Sequence, residues 1–242
     1  FSAVYDGWKE CAGGCKVSIQ TSFPVSMELF TSYREIATDQ SKAGKVMRTI
    51  LMRLGSEVYE QICLAAASAD EDRGTAIYYV LHRAFGGGRC EKRVMEALAD
   101  PYVSRVAKLA LCVKREYHHY FGFVRFREIG GRFLLAKIQP GNDILSLMAL
   151  HFSNRFPNEN WVIYDEKRQK ALCHEKGKEC VMRKGVRIRV PGSAVGDMGE
   201  YEELWQTFCD SISIEARRNE KLQKQMLALH FRSNMPEFSV KG

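Results

Sequence analysis

Residues 123–138 read FVRFREIGGRFLLAKI, and this stretch decides the fold of the middle of the chain. Apolar and polar residues alternate on both sides of Gly130-Gly131, and a period of two is typical of β-strands. Two adjacent glycines adopt positive φ without steric cost, which favours a hairpin turn of two residues. The stretch therefore predicts a β-hairpin in which Ile129 faces Arg132.

This register sorts the hairpin side chains onto two faces. The basic face carries Phe123, Arg125, Arg127 and Arg132 beside Leu134 and Ala136, and the apolar face carries Val124, Phe126, Phe133 and Leu135. Arginines on a twisted hairpin contact phosphates while an aromatic ring stacks on an unpaired base. The alternative is a solvated basic face without a ligand. Arg125 and Arg127 are thus candidate nucleic-acid contacts.

A helix and a second pair of strands follow the hairpin. The helix starts at Asn142 or Asp143, and apolar residues recur along it at positions 144, 147, 148 and 152. The next strand runs from Trp161 to Tyr164 and is followed by a charged turn and a partner strand near residues 171–174. The middle of the chain thus reads ββαββ, with an antiparallel sheet.

Several side chains of this unit are candidates for a pocket. His151 lies one helical turn before Arg155, so the two share a face of the helix. Alternation along the strand places Trp161 and Asp165 on a common side. Two interpretations stay open. Either His151 and Asp165 act as acid and base while Arg155 and Arg168 hold a phosphate, or Asp165 pairs with Arg168 to close a turn.

The regions on either side of this unit are predicted to be helical. Helical periodicity runs from residue 39 to about residue 120, with stops at Gly55 and at the glycines 86–88 and a new start at Pro101. We expect an α+β fold that forms one compact domain with three parts. These are a helical N-terminal half (1–120), a central antiparallel ββαββ sheet unit with a basic face (121–190), and a linker with C-terminal helices that pack back (191–242).

Positive charge is concentrated in the central region. The 242 residues carry a net charge of +7, and residues 112–190 hold 16 Lys or Arg against 8 Asp or Glu. Their balance of +8 leaves about −1 for the rest of the chain. A localised positive field attracts polyanions, chiefly nucleic acid and less often anionic membranes or acidic proteins. Nucleic acid is therefore the first partner to consider.

The sequence gives less support to other classes of protein. No apolar run reaches the roughly 18 residues that cross a bilayer, and the first residues do not resemble a signal peptide. We therefore expect a cytoplasmic protein without membrane contact. The eight cysteines are scattered without any CxxC pair, which favours reduced thiols over zinc or iron–sulfur sites. Phosphate-loop, GxSxG and HExxH signatures are absent, so no metal or cofactor is expected.

Several motifs together resemble a known bacterial family. They are GFVRFR at 122–127, HFxxRFP at 151–157, WxIxDxxR at 161–168, YxxLWxxF at 201–208 and IxxRxNxxxQ at 214–223. The family is a domain of unknown function assigned to DNA metabolism or DNA repair, and it has no established reaction. Its members are usually encoded beside a radical-SAM protein, and a related domain is sometimes fused to a uracil-DNA-glycosylase-like domain. The resemblance covers nearly the whole chain and implies a role in DNA repair or modification.

The chain departs from the family pattern at both ends. Family members open with a strand before their first helix, whereas Phe1 begins inside that helix, so we expect the start of the pattern to precede Phe1. Near the other end, an aromatic pair with a basic residue is replaced by HFRSN at 230–234.

Three functions are consistent with these observations. The leading hypothesis is a nucleic-acid-binding accessory protein that presents DNA or a damaged nucleotide to a radical-SAM partner. Its candidate contacts are Arg125, Arg127, Arg155, Arg168, Trp161, Arg217 and Arg218. The first alternative is an enzyme acting on a nucleotide or base with His151 and Asp165 as acid and base. The second is a scaffold whose basic surface docks an acidic protein.

Overall fold

The computed structural model describes residues 1–10, 16–22, 27, 29–86, 93–131, 133–188, 220–232, 235 and 238. The chain divides into two compact units, Phe1–Arg115 and Glu116–Gly242. Among the described residues, the first unit is helical and the second holds a five-stranded sheet, which confirms the predicted α+β class. The observed division and the division predicted after residue 120 both fall within one long helix.

Local chemistry sets the ends of the helices in the first unit. These helices are α1 (Ser2–Glu10), α2 (Gln40–Leu54), α3 (Ser56–Ala67), α4 (Arg73–Phe85) and the first part of α5 (Pro101–Phe123). Asp39 caps α2, because its carboxylate accepts hydrogen bonds from the backbone N–H of Ser41 at 2.8 Å and of Lys42 at 3.1 Å. Gly55 separates α2 from α3 with a φ of 96°, which a residue with a Cβ rarely adopts. The predicted stop at Gly55 is confirmed.

The second unit contains five described strands in the order β1-β2-β3-β4-β5. They are β1 (Arg127–Ile129), β2 (Phe133–Ile138), β3 (Trp161–Asp165), β4 (Lys170–His174) and β5 (Val181–Lys184). β5 is an addition to the predicted unit, because a strand of four residues is too short to show a clear alternation in sequence.

One strand pair corrects the predicted antiparallel sheet. β2 and β3 run parallel, with Leu134 beside Trp161 and Ile138 beside Asp165, whereas the other three pairs are antiparallel. The reason is the connection between them, which contains α6 (Ala149–Arg155) and returns the chain to the start of the neighbouring strand. The unit is therefore a hairpin, a helical crossover and an antiparallel meander.

The hairpin turn is one residue longer than predicted. Gly130 and Gly131 have φ values of 59° and 65°, so both adopt the expected left-handed conformation. Ile129, however, pairs with Phe133 rather than with Arg132. Because side chains alternate along a strand, a shift of one residue exchanges the faces of β2 relative to β1.

The predicted basic face of the hairpin is wrong for a second reason. α5 continues to Phe123, and β1 begins only at Arg127, so Phe123 and Arg125 lie outside the strand. Helical backbone hydrogen bonds persist as far as the N–H of Val124, which donates to the carbonyl of Tyr120 at 3.1 Å. Within β1, Arg127 is opposite the buried Leu135. The two arginines therefore do not form one row on a strand.

Each face of the sheet carries its own apolar layer. On the face that bears Trp161, α6 packs through Phe152, whose ring centroid lies 6.2 Å from that of Trp161. On the other face, Ile129, Leu135, Tyr164 and Ala171 form a buried cluster. The sheet thus has a buried side beneath α6 that includes the inward-facing residues of β3.

The described C-terminal segment packs back onto the end of α5 in the second unit. It contains α7 (Glu220–Met226) and α8 (Leu229–Arg232). Phe231 of α8 is buried, and its ring centroid lies 4.9 Å from that of Tyr120 and 5.1 Å from that of Phe123. This contact confirms the predicted return of the C-terminus. The apolar stripe predicted over 201–212 lies outside the described residues.

Candidate functional site

Asp165 ends β3 on the buried face of the sheet. Its side chain is fully buried, and Trp161 and Ile163 are likewise unexposed. The three residues share one side of the strand, as the alternation along the strand predicts. The Asp165 carboxylate accepts a hydrogen bond from the backbone N–H of Arg168 at 3.1 Å. It also pairs with the Arg168 guanidinium at 3.2 Å. The structure therefore contains the turn-closing pair that the sequence left as one of two alternatives.

Arg168 is committed to protein oxygens, a setting that does not favour its predicted role as a phosphate contact. Beyond Asp165, its Nη1 donates to the carbonyl of Pro140 at 2.9 Å, and its Nη2 donates to the carbonyl of Gly141. A guanidinium whose terminal nitrogens bind three protein oxygens has no fork directed at an external anion. Arg168 thus fixes the loop that follows β2.

Glu116 of α5 binds N–H groups of the same loop. Its carboxylate accepts hydrogen bonds from the backbone N–H of Gly141 at 2.6 Å, from the backbone N–H of Asn142 at 2.9 Å and from the Asn142 amide at 2.6 Å. Burial raises the pKa of the nearby Tyr120 well above its ordinary value. Glu116, Asp165, Arg168 and residues 140–142 are hereafter called the loop clamp. Each charged group of the clamp has protein partners.

Trp161 belongs to the core, a setting that does not favour its predicted role as a nucleic-acid contact. The side chain has no exposed surface, and its ring stacks on His174 with centroids 5.0 Å apart and an interplanar angle of 13°. Phe126 and Phe152 contact it edge-on. A ring enclosed in this way cannot stack on a base at the surface.

Arg125 and Arg127 occupy different settings from those predicted. The Nη1 of Arg125 donates to the carbonyl of Gly122 at 2.9 Å, so this side chain folds back on the end of α5. Arg127 lies on β1, the described edge of the sheet, and is exposed. Of the two hairpin arginines, Arg127 is therefore the one whose position suits contact with a ligand. The predicted contacts Arg217 and Arg218 lie outside the described residues.

A group of aromatic and basic side chains forms where α5 ends against α6. The Phe121 ring stacks on the His151 ring with centroids 3.9 Å apart and an interplanar angle of 11°. His118, one turn earlier on α5, lies 6.0 Å from Phe121 between ring centroids. Arg155, one turn after His151 on α6, is exposed and lies over the Phe156 ring at 5.5 Å. His118, Phe121, His151 and Arg155 are hereafter called the histidine–arginine cluster.

Electrostatics within this cluster are unfavourable. The pKa of His151 lies below its ordinary value of 6.5, first because the ring is desolvated and then because Arg155 and His118 repel a further positive charge. The Nε2 atom of His151 is buried without a hydrogen-bond partner among the described residues. His151 is thus held as a neutral imidazole at neutral pH, and a ring nitrogen remains unsatisfied.

His151 and Asp165, the predicted acid and base, have different partners. His151 stacks on Phe121 and is influenced by Arg155 and His118, whereas Asp165 is buried against Arg168. The sequence interpretation found His151 and Arg155 but did not connect them with Phe121 and His118. The available signal was their i, i+3 spacing, which places them on one face once α5 continues to Phe123.

Some cations of the second unit pair with carboxylates and others do not. Lys137, Arg168, Lys170 and Lys178 pair with carboxylates. In the part of the chain that the structure describes, no carboxylate pair is found for six exposed basic residues between positions 155 and 187, namely Arg155, Lys167, Lys176, Arg183, Lys184 and Arg187. The positive excess seen in the sequence is therefore displayed at the surface.

The described ranges hold neither a metal site nor a membrane-spanning helix. No three His, Cys, Asp or Glu side chains there come together in a way that would hold a metal ion. No helix among these residues is both long enough and apolar enough to cross a membrane.

Comparison with known proteins identifies a family but no characterised relative. A family model described as a domain of unknown function, DUF4130, matches residues 71–237, which is more than half of the 242 residues. The chain therefore belongs to the DUF4130 family. No curated protein and no solved structure matches the chain significantly.

Proposed function

We propose that this member of the DUF4130 family binds nucleic acid through its second unit and presents the bound strand to a radical-SAM partner protein in DNA repair. The observation that supports this function is the histidine–arginine cluster. Arg155 and His118 are exposed there beside a stacked pair of rings, and no carboxylate pair is found for either within the described chain. Cations next to aromatic rings suit a ligand that combines phosphates with planar bases.

The contacts in this proposal differ from those expected from the sequence. Arg155 and Arg127 remain, because both are exposed. His118 and Phe121 take the places of Arg168 and Trp161, which are occupied by protein partners. The six exposed basic residues without carboxylate partners add a field that attracts the phosphate backbone without regard to its sequence.

The radical-SAM partner and the link to DNA repair rest on the resemblance of the sequence motifs. The enzyme alternative has weaker geometric support, because Asp165 is fully buried and committed to Arg168. The scaffold alternative shares the basic surface, but it does not explain why aromatic rings lie beside the cations.

A salt titration tests the proposal. We expect a short, fluorescently labelled single-stranded oligonucleotide to bind the full chain, with an affinity that falls steeply with salt. Each phosphate contact contributes about 0.7 to the slope of log affinity against log salt for a single strand. Arg155→Ala should lower the slope by about that amount and weaken binding for every sequence.

Lys108→Ala is the matched control. Lys108 is exposed on α5, and its replacement removes the same charge from the first unit, outside the proposed binding unit. Its slope should equal that of the parent. Undetectable binding at low ionic strength, or binding that does not respond to salt, would contradict nucleic-acid binding. Co-purification of an acidic protein in that case would favour the scaffold.

A further inference from the structure

We propose that the histidine–arginine cluster is a binding site for a phosphomonoester group, the terminal phosphate of a nucleic-acid strand. The source of that phosphate rests on the proposed function, but the chemistry of the site does not. α5 supplies His118 and Phe121, and α6 supplies His151 and Arg155. Spacings of three and four residues direct each pair to one helical face, so donors from two helices approach a common aromatic platform.

The cluster gathers groups that can carry positive charge, and this composition favours an anionic ligand. Arg155 and His118 both disfavour the charged form of His151. Lys170 and Lys178 of the same unit pair with carboxylates, whereas no carboxylate pair is found for Arg155 or His118 among the described residues. An anion bound beside Arg155 would offset the repulsion that the cluster places on a further positive charge, and such local conflicts are expected at binding sites.

The unsatisfied nitrogen of His151 supports the same assignment. A buried polar atom without a partner costs about 1–3 kcal/mol, yet His151 keeps its imidazole where a phenyl ring would stack equally well on Phe121. The stack, with centroids 3.9 Å apart, holds the imidazole plane in place before any ligand arrives. A fixed ring beside an exposed guanidinium is preorganised for a ligand that binds at the surface of the cluster.

The charge and oxygen count of the ligand select a phosphomonoester over a phosphodiester. A phosphomonoester carries about −1.5 to −2 charges at neutral pH and presents three terminal oxygens. A diester carries one charge and two such oxygens. Arg155 can bind two oxygens with its fork, and the exposed His118 can contribute one donor. This donor set matches the group with more charge and more oxygens.

The decisive experiment compares matched oligonucleotides that differ only at their ends. The full chain is titrated with one short single-stranded sequence carrying a 5′-hydroxyl, a 5′-phosphate or a 3′-phosphate, and separately with a nucleoside and its monophosphate. We expect a phosphorylated end to strengthen binding about tenfold. Arg155→Ala and His118→Ala should abolish the preference, while Lys108→Ala should retain it. Arg155→Lys keeps the charge but loses the fork, and this variant should keep only part of the preference for a phosphorylated end.

The outcomes separate the site from the proposed function. Equal affinity for all three oligonucleotides would overturn the phosphomonoester site and leave nucleic-acid binding intact. Binding of the nucleoside monophosphate without binding of any oligonucleotide would support the site and contradict nucleic-acid binding. A preference for phosphorylated ends that survives both Arg155→Ala and His118→Ala would overturn the location of the site.

Discussion

The loop clamp and the histidine–arginine cluster both gather charged side chains in the second unit, but they satisfy them in opposite ways. In the clamp, the fully buried Asp165 pairs with Arg168, and Glu116 accepts three N–H groups. In the cluster, Arg155 and His118 repel charge on His151, and a buried ring nitrogen has no hydrogen-bond partner among the described residues. The charges of the clamp are balanced by its own residues, whereas Arg155 and His118 have no carboxylate partner in the described part of the chain.

This difference separates structural from functional polar residues better than residue type does. From sequence, Asp165 and Arg168 look as suitable for chemistry as His151 and Arg155. Complementary charges and completed hydrogen bonds stabilise the fold, and losing one partner leaves the other buried and uncompensated. Like charges without a counter-ion reduce the stability of the fold, and an anion that binds to them increases it. Mutations in the two groups are therefore expected to have effects that differ in size and in the property that changes.

The largest effect is expected on breaking the clamp. Arg168→Ala should lower the free energy of unfolding by about 3–5 kcal/mol, because it leaves the Asp165 carboxylate buried without a counter-charge. Urea denaturation measures this loss. Arg155→Ala, which removes the same type of side chain from the exposed cluster, should stay within about 0.5 kcal/mol of the parent. Equal losses in the two variants would break the comparison.

A smaller effect is expected at the other arm of the clamp. Glu116→Ala should cost about 1.5–3 kcal/mol, the range for hydrogen bonds to a charged group. Glu116→Gln sharpens this test, because all three partners of the carboxylate are N–H donors. The NH₂ group of the Gln amide would face an N–H donor of the loop, and two donors do not form a hydrogen bond. In urea denaturation, Glu116→Gln should therefore recover only part of the free energy of unfolding that Glu116→Ala loses. Full recovery would show that shape rather than charge holds the loop.

The smallest effect is expected in the cluster and should depend on pH. The pKa of His151 in the folded protein is below its ordinary value of 6.5, so near and below that pH the unfolded chain binds a proton that the folded chain does not. Stability from this residue is therefore present at higher pH and lost as the pH falls. His151→Phe keeps the stack on Phe121 and removes the titration.

Urea midpoints at about pH 8 and about pH 5.5 measure this change. The variant should be at least as stable as the parent at the higher pH, since it removes an unsatisfied nitrogen, and its advantage should grow at the lower pH. A variant that is less stable than the parent at both pH values would show that the imidazole stabilises the fold and would remove the contrast with the clamp.

Much of the fold could be predicted from local patterns. Helical periodicity located α2 with its stop at Gly55, and the two glycines at 130 and 131 located the hairpin turn. Alternation along β3 placed Asp165 on the same side as Trp161, and the structure shows that this side is buried. These features depend on residues that are close together in the sequence, so they can be predicted from one sequence alone. The strand direction of β3 was predicted wrongly, because direction depends on the path of the connecting helix.

The candidate site was only partly visible. The sequence showed His151 and Arg155 as residues that share one helical face. It did not show that α5 runs on to Phe123 and so brings Phe121 onto His151. A one-residue difference in the hairpin register removed the expected row of arginines. Contacts between distant segments depend on element length and register, which shift with small differences in free energy.

By itself, the sequence determined the α+β class, the family motifs and the concentration of positive charge between residues 112 and 190. The tertiary structure decided which of those charges are available. It buried Trp161, committed Arg168 to Asp165 and to carbonyl oxygens, and left Arg155 and His118 around a stacked pair of rings. The physical reason is that the sequence specifies which residues are charged. Whether a charge has a neutralising partner is fixed only when distant segments pack together.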